Sequence, residues 1–408
     1  MSSISLHRAS WVVPVSAPVI SDGCVVTKDN LIIAVGAFKE LRNKFPDAIV
    51  HDHGHNILTP ALINAHIHLE LSHLPIPQYK QEVESFTDWI ETLLSMREER
   101  GSYGKVVEEA ARKAMQLQYQ NGVIVLGDIG NTDIGAKLNS EFPGKIIHFN
   151  ECLGRTAKTR RTILKHIEAA PQDKIFTAHA PYSTHPELIQ KIKLRAAVNK
   201  HPFPIHVAEP ASENEMLCCG SGELYTFFKG RKFIDDSYKP PAGIDNQGSV
   251  QYLHDLGILD KQTICVHCIH VTSGEIEILA ETGAKVCLCP GSNRYLRVGK
   301  APVDMFLNNG ILPALGTDSM ASNPEISLWR EMKILQEDYP KIDPATIFAM
   351  ASLSGAVALG IDDIHGSLSP GKTGHFLSLS FDEIITDETM LYNLLVQNSE
   401  MKLTWVNK

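Results

Sequence analysis

The 408-residue chain is 43% hydrophobic and 21% charged, the balance of an ordinary globular enzyme long enough for one large domain with an appendage, or for two. A net charge of -9 argues against nucleic acid or an anionic membrane as its partner. No apolar run approaches the ~20 residues that cross a bilayer, and Trp11-Val12-Val13-Pro14-Val15 carries no cleavage motif, so it reads as a strand and not a secretion signal. Residues 1–57 then alternate Val/Ile-rich pieces with turn signals such as Ser21-Asp22-Gly23 and Lys28-Asp29-Asn30, which predicts a small β unit.

The run Ile57-Leu58-Thr59-Pro60-Ala61-Leu62-Ile63 reads as a single buried strand, closed by Asn64-Ala65-His66-Ile67-His68-Leu69-Glu70. Residues i and i+2 of a strand share a face, so His66 and His68 point together, and neutral imidazole suits zinc or iron. Among 18 histidines one such pair is weak evidence, and the rest of the chain must supply the other half of a site. A polar stretch holding Pro75 and Pro77 leads to two helical patterns, Phe86–Leu94 and Tyr103–Gln120, the second ended by Asn121-Gly122.

From there strand, loop and amphipathic helix alternate. The predicted strands are Val123–Gly127, Lys145–Asn150, Lys174–His179, Phe203–Val207, Thr263–His267, Lys285–Cys289 and Ile311–Gly316. With Ile57–Ile63 they make eight, the signature of an α/β fold built as a (β/α)₈ TIM-type barrel. After the helical region Pro344–Leu359, short strands near Phe376–Leu379 and Met401–Val406 are expected to return to the N-terminal unit. The expected domains are a small β-sandwich from 1–57 and 364–408, and a barrel from 58–363.

Chemistry in such barrels sits at the C-terminal strand ends. Those ends carry His66, His68, His179, His206, His267 and Asp318, with Glu209 three residues beyond His206. Any one of them alone is ordinary; together at one mouth they form a pattern. The close pairs Cys265/Cys268 and Cys287/Cys289 invite a zinc-ribbon reading, but both lie in apolar strand-like runs and not on turns. They read as buried free thiols, which fits a reducing cytoplasm. His51, His53 and His55 alternate as a metal tract would, yet precede the barrel in polar sequence and read as surface.

The motifs His66-Ile67-His68, His206-Val207-Ala208-Glu209, His267-Cys268-Ile269-His270 and Leu315-Gly316-Thr317-Asp318 together resemble the amidohydrolase superfamily, in its branch of adenosine-type, cytosine and guanine deaminases and chlorohydrolases. Cys289-Pro290-Gly291-Ser292-Asn293 and Ala301-Pro302-Val303 match the same branch, so the resemblance spans nearly the whole chain. Asn64 to Ser72 is most similar to the aminofutalosine deaminases of menaquinone synthesis. One departure is Lys372-Thr373-Gly374-His375-Phe376, standing where relatives usually carry an Ala-Asp pair.

The resemblance implies that His66, His68, His206 and Asp318 hold one divalent metal ion. Two-metal members carry a modified lysine at the end of strand 4; Thr177-Ala178-His179-Ala180-Pro181 has none, so a single ion is expected. Three imidazoles and a carboxylate suit Zn²⁺, with Fe²⁺ as the alternative. Such an ion acidifies a water, and Glu209 can pass that water's proton to a ring nitrogen while His267 and Asp318 hold the attacking oxygen in place. The resemblance also makes His179 a substrate contact and places Trp89 over a nucleoside ring. Glu70 could orient a ligand histidine or make a salt bridge, and His270 is read as structural or as supporting a ligand from behind.

The expected activity is mononuclear, metal-dependent deamination of an amino-substituted N-heterocycle, best read as a 6-aminopurine nucleoside such as aminofutalosine. A chlorohydrolase or cyclic-amide hydrolase is the alternative, and a non-catalytic binding protein a remote one, disfavoured because Glu209 and Asp318 are both present. Polynucleotide-base deaminases use a His-x-Glu signature with Cys ligands, an arrangement this chain lacks. The expected partner is a small heterocycle, with homo-oligomerisation left open.

Overall fold

A computed structural model describes residues 3–74, 76, 83–236, 238–240, 248–397 and 401–407; Pro75 and Pro77 of the predicted polar stretch lie outside them. Five strands come first: β1 (Ser5–Val12), β2 (Ile20–Lys28), β3 (Leu31–Ala37), β4 (Ile49–Asp52) and β5 (Ile57–Pro60). Eight follow with helices between them: β6 (Leu62–Ile67), β7 (Val123–Gly130), β8 (Lys145–Cys152), β9 (Phe176–Ala178), β10 (Phe203–Val207), β11 (Thr263–His267), β12 (Lys285–Leu288) and β13 (Ala314–Leu315). Two more, β14 (Phe376–Ser380) and β15 (Lys402–Val406), end the chain.

The chain divides into two compact units, residues 1–64 with 116–125 and 327–408, and residues 65–115 with 126–326. In the first, the terminal strands form one seven-stranded sheet in the order β15-β14-β5-β1-β2-β3, with β4 alongside β1. β1 runs antiparallel to β2 and parallel to β4 and β5, while β14 is antiparallel to β5 and β15. Leu58, Phe376 and Val406 pack with Ala9, Val12, Val25 and Ile32 into its core. The apolar run expected as one strand is therefore two. Ile57–Pro60 belongs to this sheet and Leu62–Ile67 begins the next. Pro60, paired with Phe376, has no N–H to carry the ladder onward, and burial on both sides of it hid the break.

The remaining strands lie in two four-stranded sheets ordered β6-β7-β8-β9 and β10-β11-β12-β13. The registers of β8 with β9 and of β10 through β13 are parallel. Every residue of β10 and β11 is buried, as expected of parallel strands covered on both faces. Beyond the strands, His206 N–H donates to the His179 carbonyl at 2.9 Å and Asp318 N–H to that of His66 at 3.1 Å, which gathers four strand ends at one place. A Cβ on Gly316 would stand 2.6 Å from the Cβ of His66, so only glycine lets the segment after β13 come this close. Cys265, Cys268, Cys287 and Cys289 are buried and outside any disulfide. No described helix is long and apolar enough to cross a membrane.

Candidate metal centre and active site

His66 and His68, one residue apart in period 2, leave the end of β6 on the same side as His206 from β10. His66 Nε2 lies 3.3 Å from His206 Nε2 and 3.6 Å from Asp318 Oδ1, and His68 Nε2 lies 3.5 Å from the same oxygen. A tetrahedral ion with bonds of about 2.1 Å sets its donors about 3.4 Å apart, and these three spacings are compatible with that distance.

The second donor atoms of His68, His206 and Asp318 are tied so that the first face inward. His68 Nδ1–H donates to the Ile129 carbonyl and His206 Nδ1–H to that of His179, both at 2.9 Å, which leaves both Nε2 lone pairs for an ion. Asp318 Oδ2 accepts from Ser292 at 2.6 Å and Ser322 at 2.8 Å, leaving Oδ1 toward the imidazoles. Burial pushes His66 down to about 4 and His206 well below the ordinary histidine value. Burial works against ionised Asp318, but the bond to His66 and the neighbouring histidines hold it well below the usual carboxylate range. Neutral imidazoles beside an ionised carboxylate are the protonation states that a zinc-type ion requires.

Glu209 and His267 lie together beside this cluster. Glu209 Oε1 lies 3.6 Å from His267 Nε2, and the Glu209, His267 and Asp318 donor atoms sit within 4.8 Å of one another. His267 Nδ1–H donates to Asn293 Oδ1 at 2.9 Å, so its Nε2 lone pair faces the site. Burial pushes the Glu209 carboxyl well above its ordinary value, the Asp318 charge adds to this and His68 opposes it. Beneath it Glu213 accepts the Glu209 backbone N–H at 3.2 Å, and burial raises Glu213 to about 7. Ala208, His267 and Asp318 take left-handed backbone at φ 53, 73 and 56. Strain of this kind costs of order 1–3 kcal/mol per residue and concentrates where side chains must be aimed.

A cavity of about 580 Å³ opens over the cluster. His179, tied through Nδ1 to Ser183 Oγ at 2.6 Å, forms part of its wall. Trp89 donates from Nε1 to the Ala321 carbonyl at 2.9 Å and lines the cavity beside Phe86. Glu70 makes the salt bridge that was one of its two readings, with Oε1 3.4 Å from Arg97, and its Oε2 accepts the Thr132 N–H at 2.8 Å. His270 bonds the Val298 carbonyl at 2.7 Å and does not line the cavity.

Glu151, Asn131, Arg155, Lys158, Phe228 and Phe233 line the same cavity and were not singled out in the sequence. The strand-end rule reaches Glu151 once β8 is extended past Asn150, whereas Phe228 lies within the helix Gly222–Gly230 and Phe233 just beyond it, where no motif marks them.

Residues 57–406 match the Amidohydrolase family, and the chain belongs to that family. As a member it is a hydrolase acting on carbon–nitrogen bonds other than peptide bonds. It is 27% identical over 384 residues to a 5-methylthioadenosine/S-adenosylhomocysteine deaminase of Moorella thermoacetica, covering 90% of this chain and 83% of that one. It is 26% identical over 399 residues to an aminodeoxyfutalosine deaminase of Nitratiruptor sp., covering 93% of each. Helicobacter pylori aminofutalosine deaminase in complex with methylthio-coformycin shares the fold, with a TM-score of 0.82, 22% identity, and coverage of 98% of this chain and 97% of that one.

Proposed function

We propose that this protein is a mononuclear metal-dependent aminohydrolase that deaminates a 6-aminopurine nucleoside, aminofutalosine or a related adenosine derivative. The observation that carries the reading is one cluster in which His66, His68, His206 and Asp318 present inward-facing donors beside a proton-retaining Glu209. Relatives named for methylthioadenosine and aminodeoxyfutalosine support the substrate class. In this reading residues 58–363 form the (β/α)₈ barrel, and 1–57 with 364–408 its small β-sandwich.

His66, His68, His206 and Asp318 would hold Zn²⁺, with Fe²⁺ the alternative. The ion supplies a water acidified toward neutrality. Glu209 hands a proton to the purine ring nitrogen next to the amino-bearing carbon, which makes that carbon electrophilic. Its proton-retaining state suits this donor role. His267, steered by Asn293, offers an acceptor lone pair that orients the attacking water. The Glu209 carboxylate then takes a proton from the attacking water and passes it to the amino group, which leaves as ammonia, and the proton of the new hydroxyl returns Glu209 to its starting state as the ring carbonyl forms. Trp89 and Phe86 supply apolar cover for the base, and His179 a polar contact at its edge.

The test is ammonia release by the metal-loaded protein against adenosine, 5′-methylthioadenosine, S-adenosylhomocysteine, aminofutalosine, guanine and cytosine. Turnover of a 6-aminopurine nucleoside is the expected result. Chloride release from a chlorotriazine, or ring-opened product from a cyclic amide, with no ammonia from any nucleoside, overturns the reading.

A further inference from the structure

The alternating histidines that precede β5 have a partner the sequence does not place beside them. In the parallel pairing of β1 with β4, His7 stands directly opposite His51. His53 is two residues beyond His51, and its N–H continues the ladder to the Arg8 carbonyl at 2.8 Å, so strand period 2 puts it on the same face. The rings converge as this register requires. His7 and His51 stack at 5.0 Å between centroids, and His7 and His53 lie 5.6 Å apart.

We propose that His7, His53 and His51 form a second metal site, for an imidazole-preferring divalent transition ion such as Ni²⁺, Cu²⁺ or Zn²⁺. His53 Nε2 and His7 Nδ1 are 3.4 Å apart, the same edge that separates His66 from His206. His7 Nε2 is engaged by Thr27 Oγ1 at 3.2 Å, which turns Nδ1 toward His53 just as backbone carbonyls turn the catalytic imidazoles. His7 is buried and packs edge-on against Phe376 at 5.4 Å, so one donor is fixed. His51 is exposed, which leaves an entry path, and its ring is the third imidazole on this face, stacked on His7. The neighbouring carboxylate, Asp52, is taken up by Arg8 at 3.3 Å and by the Gly54 N–H at 2.9 Å, so the donor set is all nitrogen. Such a set favours late first-row ions over Mg²⁺ or Ca²⁺. Burial, with the charges of His51 and His53 adding, pushes His7 down to about 3, so the ring is neutral near pH 7 and offers one lone pair to an ion.

The site is independent of the catalytic reading, and its test uses variants that leave the catalytic cluster untouched. The full-length holoprotein is titrated with Ni²⁺ by equilibrium dialysis, alongside His53→Ala and His51→Ala. One equivalent beyond the resident metal should bind to the parent and be lost in His53→Ala, with hydrolase activity in that variant unchanged. A parent that takes up no further equivalent shows the His7–His53 contact to be a hydrogen bond alone and overturns the proposal. So does an extra equivalent that persists in both variants. Absence of deaminase activity, by contrast, overturns only the catalytic reading, because the Ni²⁺ count does not depend on turnover.

Discussion

Two histidine clusters in this chain share a donor spacing and differ in everything around it. His66 and His206 face each other at 3.3 Å, His7 and His53 at 3.4 Å. Strand period 2 builds half of each, and in each a hydrogen bond at one ring nitrogen aims the other. Only the first is joined by buried carboxylates: Asp318 at 3.5 Å from His68, Glu209 at 3.6 Å from His267, and Glu213 beneath. Only the first has a cavity of about 580 Å³ over it. Convergent imidazoles make a place for an ion; buried acids and an enclosed volume make a place for a reaction.

The largest expected effect removes the acid and keeps the imidazoles. Glu209→Gln should retain metal and most substrate affinity but lose about 10²–10⁴-fold or more in kcat, the usual worth of general acid–base catalysis. His206→Ala should lose metal and activity together. Steady-state kinetics with elemental analysis of both variants separates the roles. Near-parental kcat in metal-loaded Glu209→Gln would move the proton transfer to His267. Measured in His53→Ala, so that the other cluster cannot contribute, the purified protein should hold close to one equivalent of Zn or Fe. Two equivalents there break the mononuclear reading.

The next effect is smaller and tests the buried acid behind Glu209. Burial raises Glu213 to about 7 from an ordinary 4.5, so the folded state holds a proton that the unfolded chain has lost. That stabilisation is fully present below about pH 4.5 and declines as pH rises toward 7, by about 3 kcal/mol at most. Glu213→Gln, which cannot ionise, should flatten this slope and gain relative to the parent above pH 7. Urea unfolding of both proteins from pH 4.5 to 8 measures it. A parent–variant difference that does not change with pH means Glu213 is not the proton holder.

How much of this is legible in the sequence depends on whether a residue's role is set by local period or by register between distant strands. His66 and His68 are legible because two residues on one strand share a face whatever the fold, and the strand-end rule extends that to His179, His206, His267 and Asp318. The break at Pro60 is not, since both flanking segments are buried apolar runs in different sheets. Glu70 left two readings open that only the position of Arg97, 27 residues on, decides. Glu213, four residues past Glu209, carries no motif to mark it, yet its side chain turns back under the strand end. His51 and His53 read as surface because His7, whose register with β4 no local pattern announces, is 44 residues away from His51.

The smallest expected effect concerns sulfur, and it asks whether nitrogen and oxygen alone account for metal in either cluster. In the β11–β12 ladder Cys265 stands opposite Val286 and Cys287 opposite Val266, and both cysteines are fully buried. Each is a small apolar filler in a close-packed strand. Cys265→Ala or Cys287→Ala should therefore cost about 1–2 kcal/mol of stability through lost packing alone. Metal content should stay at the parental value, because no donor atom has been removed. Thermal unfolding and elemental analysis on the same preparations read the two quantities side by side. Loss of a metal equivalent in either variant would bring thiolate into the coordination shell and end the nitrogen-and-carboxylate account of the catalytic centre.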